Sequence, residues 1–173
     1  MDEFASLWSR RWLECDLDVL YFGEDMGTQT AALISPAMFR QWFAPYYKEL
    51  FDLCHQAGTR VYLHSDGHVL EMVDDWIRCG VDIVNVQDLC NGIDHLAREV
   101  KGRICLSLDI DRRRIVPFGT RREIHDLIEE EVRKLGSPRG GLELVCGIYP
   151  PTPPENFDAV CEALCKTRRY WWK

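Results

Sequence analysis

Short apolar runs rich in β-branched and aromatic residues alternate along the chain with longer segments whose apolar residues recur at helical spacing. The runs expected to form strands are Asp18–Phe22, Arg60–Leu63, Asp82–Val86, Ile104–Leu108 and Leu142–Val145. Repeated strand-then-helix order is typical of parallel strands joined by right-handed crossovers. The sequence therefore predicts an α/β fold.

The segments between these runs carry helix start and stop signals. Ser35 and Pro36 predict the start of a helix that runs to about Ala57, with Gly58 as its stop. Further helices are expected over Gly67–Cys79, Ile93–Val100, Thr120–Leu135 and Pro154–Lys166. Barrels with this rhythm have eight strands and about 250 residues. We therefore expect residues 1–173 to form a single domain, about five β/α units from the C-terminal part of a (β/α)8 barrel whose N-terminal part is missing.

Composition narrows the class of protein. With 173 residues and 46% apolar content, the chain has enough apolar material to bury a core. A net charge of −7 gives no basic field for nucleic acid. The eight cysteines are scattered through apolar periodic segments without a preceding secretory segment, which favours a reducing, cytoplasmic location. No apolar run approaches the roughly 18 residues that span a bilayer, so no membrane partner is expected.

The segment V-Y-L-H-S-D-G, Val61–Gly67, ends a strand on polar side chains. Enzymes with parallel strands place their chemistry at the carboxyl ends of those strands. His64 and Asp66 are therefore predicted to be catalytic residues. The alternative for His64 is a hydrogen-bonded residue at the end of a strand.

Other strand ends supply further candidates. Asp25 follows the first strand and is predicted to be a third catalytic residue, which orients His64 or contacts substrate; a turn-forming role is its alternative. Side chains predicted to contact substrate lie near or beyond the ends of the first, third and fourth strands: Gln29, Asn85, Gln87 and Asp111.

Four segments, each at the end of a strand, carry a resemblance to a known family. They are G-E-D-M-G-T-Q-T-A-A-L-I-S-P (23–36), H-S-D-G (64–67), D-I-D-R-R-R-I-V-P-F-G-T (109–120) and C-G-I-Y-P-P-T-P-P-E-N (146–156). In this order they resemble the uroporphyrinogen decarboxylase superfamily over nearly the whole chain. The resemblance implies a (β/α)8 barrel and either of two activities: porphyrinogen decarboxylation, or zinc-dependent methyl transfer between corrinoid proteins and thiols.

The resemblance also implies a metal site. The methyltransferases hold zinc with a His-x-Cys pair, which corresponds to His64 and Asp66, and with a later cysteine, which corresponds to Cys146. This chain has aspartate, Asp66, at the middle position of the methyltransferase set. At the position of Cys146, decarboxylases typically have histidine. Imidazole, carboxylate and thiolate are all zinc ligands, so a zinc site of His64, Asp66 and Cys146 is expected. A buried apolar thiol is the alternative for Cys146.

The function expected from the resemblance is zinc-dependent methyl transfer to a thiol, with the methyl group arriving on a methylcorrinoid carried by a partner protein. One alternative is uroporphyrinogen decarboxylation in tetrapyrrole biosynthesis, with a tetrapyrrole as substrate. The other is an inactive, incomplete barrel that acts as a binding or assembly module, whose unpaired strand edges would favour a homodimer. The sequence leaves open whether the chain is an enzyme and which molecules donate and accept the methyl group.

Overall fold

The computed structural model describes residues 3–172, with side chains from residue 5 onward. The strands are β1 (Val19–Gly23), β2 (Arg60–His64), β3 (Ile83–Gln87), β4 (Cys105–Asp109) and β5 (Leu142–Val145). The α-helices are α1 (Glu3–Leu13), α2 (Pro36–Met38), α3 (Ala44–Gln56), α4 (Val73–Cys79), α5 (Asp88–Asn91), α6 (Ile93–Glu99), α7 (Ile115–Phe118), α8 (Arg121–Leu135) and α9 (Pro154–Thr167). A π-helical turn, Phe39–Phe43, joins α2 to α3, and a 3₁₀ turn, Leu70–Met72, precedes α4.

The predicted strands are confirmed, with each end shifted by no more than one residue. The helix expected over Gly67–Cys79 was wrong at its start, because helical structure begins only at Leu70. Gly67 has a φ of +84°, a left-handed conformation that cannot belong to an α-helix. Of the helices that the structure describes, none is both long enough and apolar enough to cross a membrane.

The chain divides into two compact units, Met1–Asn85 and Val86–Lys173. In the first unit β1 pairs with β2, and β2 pairs with the first residues of β3, all in parallel. Helix α3 packs against β2 and α4. Residues at the centre of this unit are fully buried: Phe39, Phe51, Val61, Leu63 and Trp76.

In the second unit β4 and β5 pair in parallel, and α8 packs against α9. The core between these elements consists of aliphatic side chains: Ile110, Val116, Ile124, Ile128, Ala159, Val160 and Ala163. Helix α8 begins with a capping box, in which the Thr120 side chain accepts a hydrogen bond from the Glu123 backbone and the Glu123 carboxylate accepts one from the Thr120 backbone. This start was predicted from the sequence to within one residue.

Candidate functional site

Strand register brings polar residues together at one edge of the first unit. His64 is the last residue of β2 and lies beside Gly23 of β1 and Asn85 of β3. Because these strands are parallel, their carboxyl ends meet at the same edge. Asp25 lies two residues beyond the end of β1 and Asp66 two residues beyond the end of β2, so both carboxylates reach His64.

The two carboxylates face the same nitrogen of His64. Nε2 lies 3.5 Å from Oδ1 of Asp25 and 3.6 Å from Oδ1 of Asp66. One donor atom from each of the three residues lies within 4.8 Å of the other two. The Asp66 backbone N–H also donates to Asp25 Oδ1 at 3.1 Å, which fixes one carboxylate relative to the other. Side-chain exposure of 22% for His64, 37% for Asp66 and 67% for Asp25 leaves the group accessible to a ligand.

Asn85 sets the hydrogen-bonding state of the imidazole ring. Its Oδ1 lies 2.5 Å from Nδ1 of His64 and accepts the hydrogen of that nitrogen. In the neutral ring the lone pair is therefore on Nε2, directed toward the two carboxylates. Three acceptor atoms then face one another, and a cation satisfies all three. A histidine that binds metal through one nitrogen commonly donates the other N–H to an oxygen acceptor, as His64 does here.

The spacing fits a small divalent ion. Zinc bonds to nitrogen and carboxylate oxygen measure about 2.1 Å, so adjacent ligand atoms of a tetrahedral site lie about 3.4 Å apart. The separations of 3.5 and 3.6 Å between His64 Nε2 and the carboxylate oxygens are close to this value. Asp25, His64 and Asp66 can therefore supply three protein ligands, the number typical of a catalytic zinc site with one open position.

Hydrogen bonds donated by backbone N–H groups hold the loop after β1 against the turn after β2. The Met26 N–H donates to Ser65 Oγ at 2.9 Å, and the His68 N–H donates to the Thr28 carbonyl at 2.6 Å. Asp25 and Asp66 belong to these two segments. The loops thus place both carboxylates by backbone contacts.

Two glycines allow this close approach. A Cβ atom on Gly67 would lie 2.4 Å from the carbonyl carbon of Gly27, and one on Gly27 would lie 2.7 Å from the carbonyl oxygen of Asp66. Both distances are shorter than non-bonded contacts permit. Glycine is therefore required at position 67 for two reasons: its φ is positive, and the neighbouring backbone leaves no room for a Cβ atom.

Tyr21 is a residue at this site that the sequence reasoning missed. Its ring stacks on His64 with 6.2 Å between ring centroids and 21° between planes, and the residue is 54% exposed. A Cβ on Gly23 would lie 3.1 Å from the Tyr21 ring, so glycine at 23 leaves room for it. Burial, followed by the charges of Asp25 and Asp66, raises the pKa of Tyr21 and keeps its hydroxyl as a donor. Residues 21, 23 and 25 alternate along the chain and so lie on one face of an extended strand; this spacing could have indicated that Tyr21 lies near Asp25.

The residues predicted to contact substrate lie in different settings. Gln29 is exposed in the loop after β1, and Asn85 bonds to His64. In the second unit the Gln87 carboxamide accepts a hydrogen bond from Cys90 Sγ at 3.5 Å. Asp111 accepts backbone N–H groups at the start of α7 and so caps that turn. Their roles toward a substrate stay predictions.

Cys146 follows β5 in the second unit and packs against the aliphatic core of that unit. Burial, followed by the charge of Asp109, raises the pKa of its thiol to about 12. The thiolate is the form that binds zinc, so a bound metal would have to displace this proton. The role of Cys146 as a ligand of the site at His64 stays a prediction.

Comparisons with known proteins give the family. Residues 12–167 match the uroporphyrinogen decarboxylase (URO-D) family. Uroporphyrinogen decarboxylase 2, chloroplastic, of Arabidopsis thaliana is 30% identical over 133 residues, which cover 73% of this chain and 32% of that protein. A uroporphyrinogen decarboxylase of Synechococcus sp. (strain CC9902) is 32% identical over 130 residues, covering 73% and 35%. The chain spans about a third of the length of these relatives.

A solved structure gives the fold. A methyltransferase from Methanosarcina mazei superposes with a TM-score of 0.68 and 22% sequence identity, over 96% of this chain and 47% of its own. The likeness confirms the α/β fold class and agrees with the expectation of a partial barrel. The match over residues 12–167 establishes that the chain belongs to the uroporphyrinogen decarboxylase family.

Proposed function

We propose that His64, Asp66 and Asp25 bind a zinc ion, and that the site serves the transfer of a methyl group from a corrinoid to a thiol. The observation that carries the proposal is the orientation of His64. Asn85 accepts the hydrogen of Nδ1 at 2.5 Å, and Nε2 is directed at two carboxylate oxygens 3.5 and 3.6 Å away. This donor set has the identity and the spacing that zinc requires.

When bound, zinc would supply a Lewis acid with an open position at which a substrate thiol is held as its thiolate near neutral pH. The chain's own residues prepare the position. Asn85 holds the imidazole in one orientation, and the backbone contacts of the two loops hold the carboxylates. The exposed ring of Tyr21 forms a wall beside His64, and its hydroxyl is available as a donor to an incoming ligand.

The proposed transfer needs a methyl donor that a partner protein carries. The substrate sulfur attacks the methyl carbon of a methylcorrinoid, the carbon–cobalt bond breaks, and its electron pair stays on cobalt. Three ligands from the first unit leave a position for the thiol. Cys146 would enter the zinc site as a further ligand only as a thiolate, at the cost of the proton that its apolar surroundings favour.

Uroporphyrinogen decarboxylation is the second candidate. It is favoured by the relatives, which are named uroporphyrinogen decarboxylases and are 30% and 32% identical over 73% of this chain. In that reaction the carboxylates of Asp25 and Asp66 would accept hydrogen bonds from the N–H groups of a tetrapyrrole. A chain that binds neither substrate class would fit the third alternative, a binding or assembly module.

The experiment is a zinc titration of the purified full chain combined with two activity assays. We expect one zinc per chain, demethylation of methylcobalamin in the presence of a small thiol, and no turnover of uroporphyrinogen. His64→Ala should lose both zinc and activity, whereas His95→Ala, which removes an exposed histidine of α6, should keep both. Turnover of uroporphyrinogen by metal-free protein would overturn the methyl-transfer proposal in favour of the decarboxylase.

A further inference from the structure

Glu131 is a carboxylic acid inside the core of the second unit. It lies on α8 and is 0% exposed. Among the described residues, no N–H or ordinary hydroxyl donor lies within hydrogen-bonding distance of either carboxyl oxygen. An ionised carboxylate without a donor is very unfavourable in such surroundings.

The group that Glu131 meets is a second carboxyl, that of Asp88. Asp88 is the first residue of α5 and is 4% exposed. The two carboxyls are near enough to interact directly, and a hydrogen bond between them requires that one carries a proton. Asp88 also accepts backbone N–H groups from Leu89 at 2.5 Å and from Asp111 at 3.2 Å. These donors stabilise an ionised Asp88, and Glu131 has no equivalent, so the proton belongs to Glu131.

The neighbouring titratable groups are also acidic. Asp111 faces both carboxyls from the loop between β4 and α7, Glu130 faces Glu131 from α8 itself, and Cys146 approaches from the end of β5. The nearby cations are directed elsewhere: Arg114 pairs with Asp111 at 3.7 Å and Lys134 pairs with Glu130 at 2.6 Å. Burial first, and then the charge of Asp88, raises the pKa of Glu131 to about 10. Burial raises the pKa of Asp88 to about 6.

We propose that Glu131 and Asp88 share one proton at neutral pH, and that this proton maintains a pH-sensitive contact between α8 and the segments that follow β3 and β4. The contact involves both segments because Asp88 follows β3 and its second carboxyl oxygen accepts the backbone N–H of Asp111, which follows β4. Loss of the proton leaves two adjacent buried anions. The segments that carry Gln87 and Asp111 then separate from α8.

The sign of the pH dependence follows from which state holds the proton. The folded chain keeps it up to about pH 10, whereas an unfolded glutamate loses it near 4.5. Stability from this group is therefore complete at low pH and is lost as the pH rises across that window. One proton held only by the folded state lowers the ratio of folded to unfolded chain by about tenfold for each pH unit.

The test compares urea unfolding of the full chain with that of Glu131→Gln at pH 7, 8 and 9. The glutamine amide donates to Asp88 without a titrating proton. For each pH unit, the ratio of folded to unfolded chain should therefore fall about tenfold more in the wild type than in the variant. Glu129→Gln, which changes a half-exposed glutamate of the same helix, is the matched control and should parallel the wild type. Parallel curves for Glu131→Gln and wild type would overturn the proposal.

A second measurement does not depend on a variant that folds. With ¹³C-labelled glutamate, one side-chain carboxyl carbon of the wild-type protein should keep the chemical shift of the protonated acid at pH 8, while the exposed glutamates have titrated. Titration of every glutamate carboxyl in the ordinary acidic range would contradict a shared proton.

Discussion

Oδ1 of Asn85 lies 2.5 Å from Nδ1 of His64, across neighbouring parallel strands. This contact determines the chemistry of the opposite ring nitrogen, because it leaves the lone pair of Nε2 directed toward Asp25 and Asp66. The amide is buried, so water does not compete effectively for the imidazole hydrogen. Asn85 therefore acts as a positioning residue for a metal ligand.

Replacing Asn85 with alanine should weaken zinc binding. Without the amide oxygen, the neutral imidazole can carry its hydrogen on Nε2, and the ring can rotate. Loss of such a partner typically costs about 10–100-fold in metal affinity. Titration calorimetry with zinc measures the change. The control is Asn91→Ala, which removes a buried amide bonded to the Gln87 carbonyl; equal loss of zinc affinity in both variants would refute this role of Asn85.

Gly67→Ala should destabilise the chain more than Gly58→Ala does. Both glycines have a positive φ, which costs a side chain about 1–2 kcal/mol. A Cβ at Gly58 meets nothing within 4 Å, whereas one at Gly67 meets the Gly27 backbone at 2.4 Å. Overpacking should add about 1–3 kcal/mol at Gly67. Urea unfolding of the two variants measures the difference, and equal losses would mean that the close approach of the two loops carries no energy.

Thr120→Ala should destabilise the second unit by about 1 kcal/mol. The substitution removes the side chain that caps α8 and leaves the Glu123 backbone N–H without that acceptor. The midpoint of thermal unfolding reports the loss. Thr30→Ala, at an exposed position of the loop after β1, is the matched threonine control, and a drop as large as that of Thr120→Ala would argue against a capping effect.

Cys146 should resist alkylation at pH 8 in metal-free protein. Burial raises the pKa of its thiol to about 12, so the reactive thiolate forms only as the pH approaches that value. Cys161 and Cys165 are exposed on α9 and should be modified first. Iodoacetamide labelling followed by peptide mass spectrometry distinguishes the three thiols. Rapid modification of Cys146 at pH 8 would show that its surroundings are more polar than this fold implies.

The local sequence carries much of the fold. Strands such as Arg60–His64 follow from short β-type runs, and the end of α3 follows from Gly58. The start of the helix expected at Gly67 could not be predicted, because it depends on the backbone of Gly27, which lies 40 residues earlier. Local periodicity carries no information about a contact between two loops that are distant in sequence.

Some residues of the candidate site could be predicted from the local sequence, and others could not. His64 and Asp66 were recognisable because they share one turn, and Asp25 because it follows a strand. The stacking of Tyr21 on His64 depends on the pairing of β1 with β2, which sequence spacing does not define. Glu131 ends a run of three glutamates, and nothing in the local sequence distinguishes it from the two before it. Its burial arises from tertiary packing of α8, so its unusual proton could not be predicted from the sequence.

Zinc K-edge X-ray absorption of the full chain loaded with one equivalent of zinc identifies the atoms that bind the metal. We expect retained zinc whose nearest neighbours are nitrogen and oxygen at about 2.0–2.1 Å, with any contribution of Cys146 visible as sulfur at about 2.3 Å. The imidazole signal and the bound zinc should both be lost in His64→Ala. Zinc that dissociates from the wild type on dialysis, or that binds His64→Ala with unchanged affinity, would contradict a metal site at Asp25, His64 and Asp66.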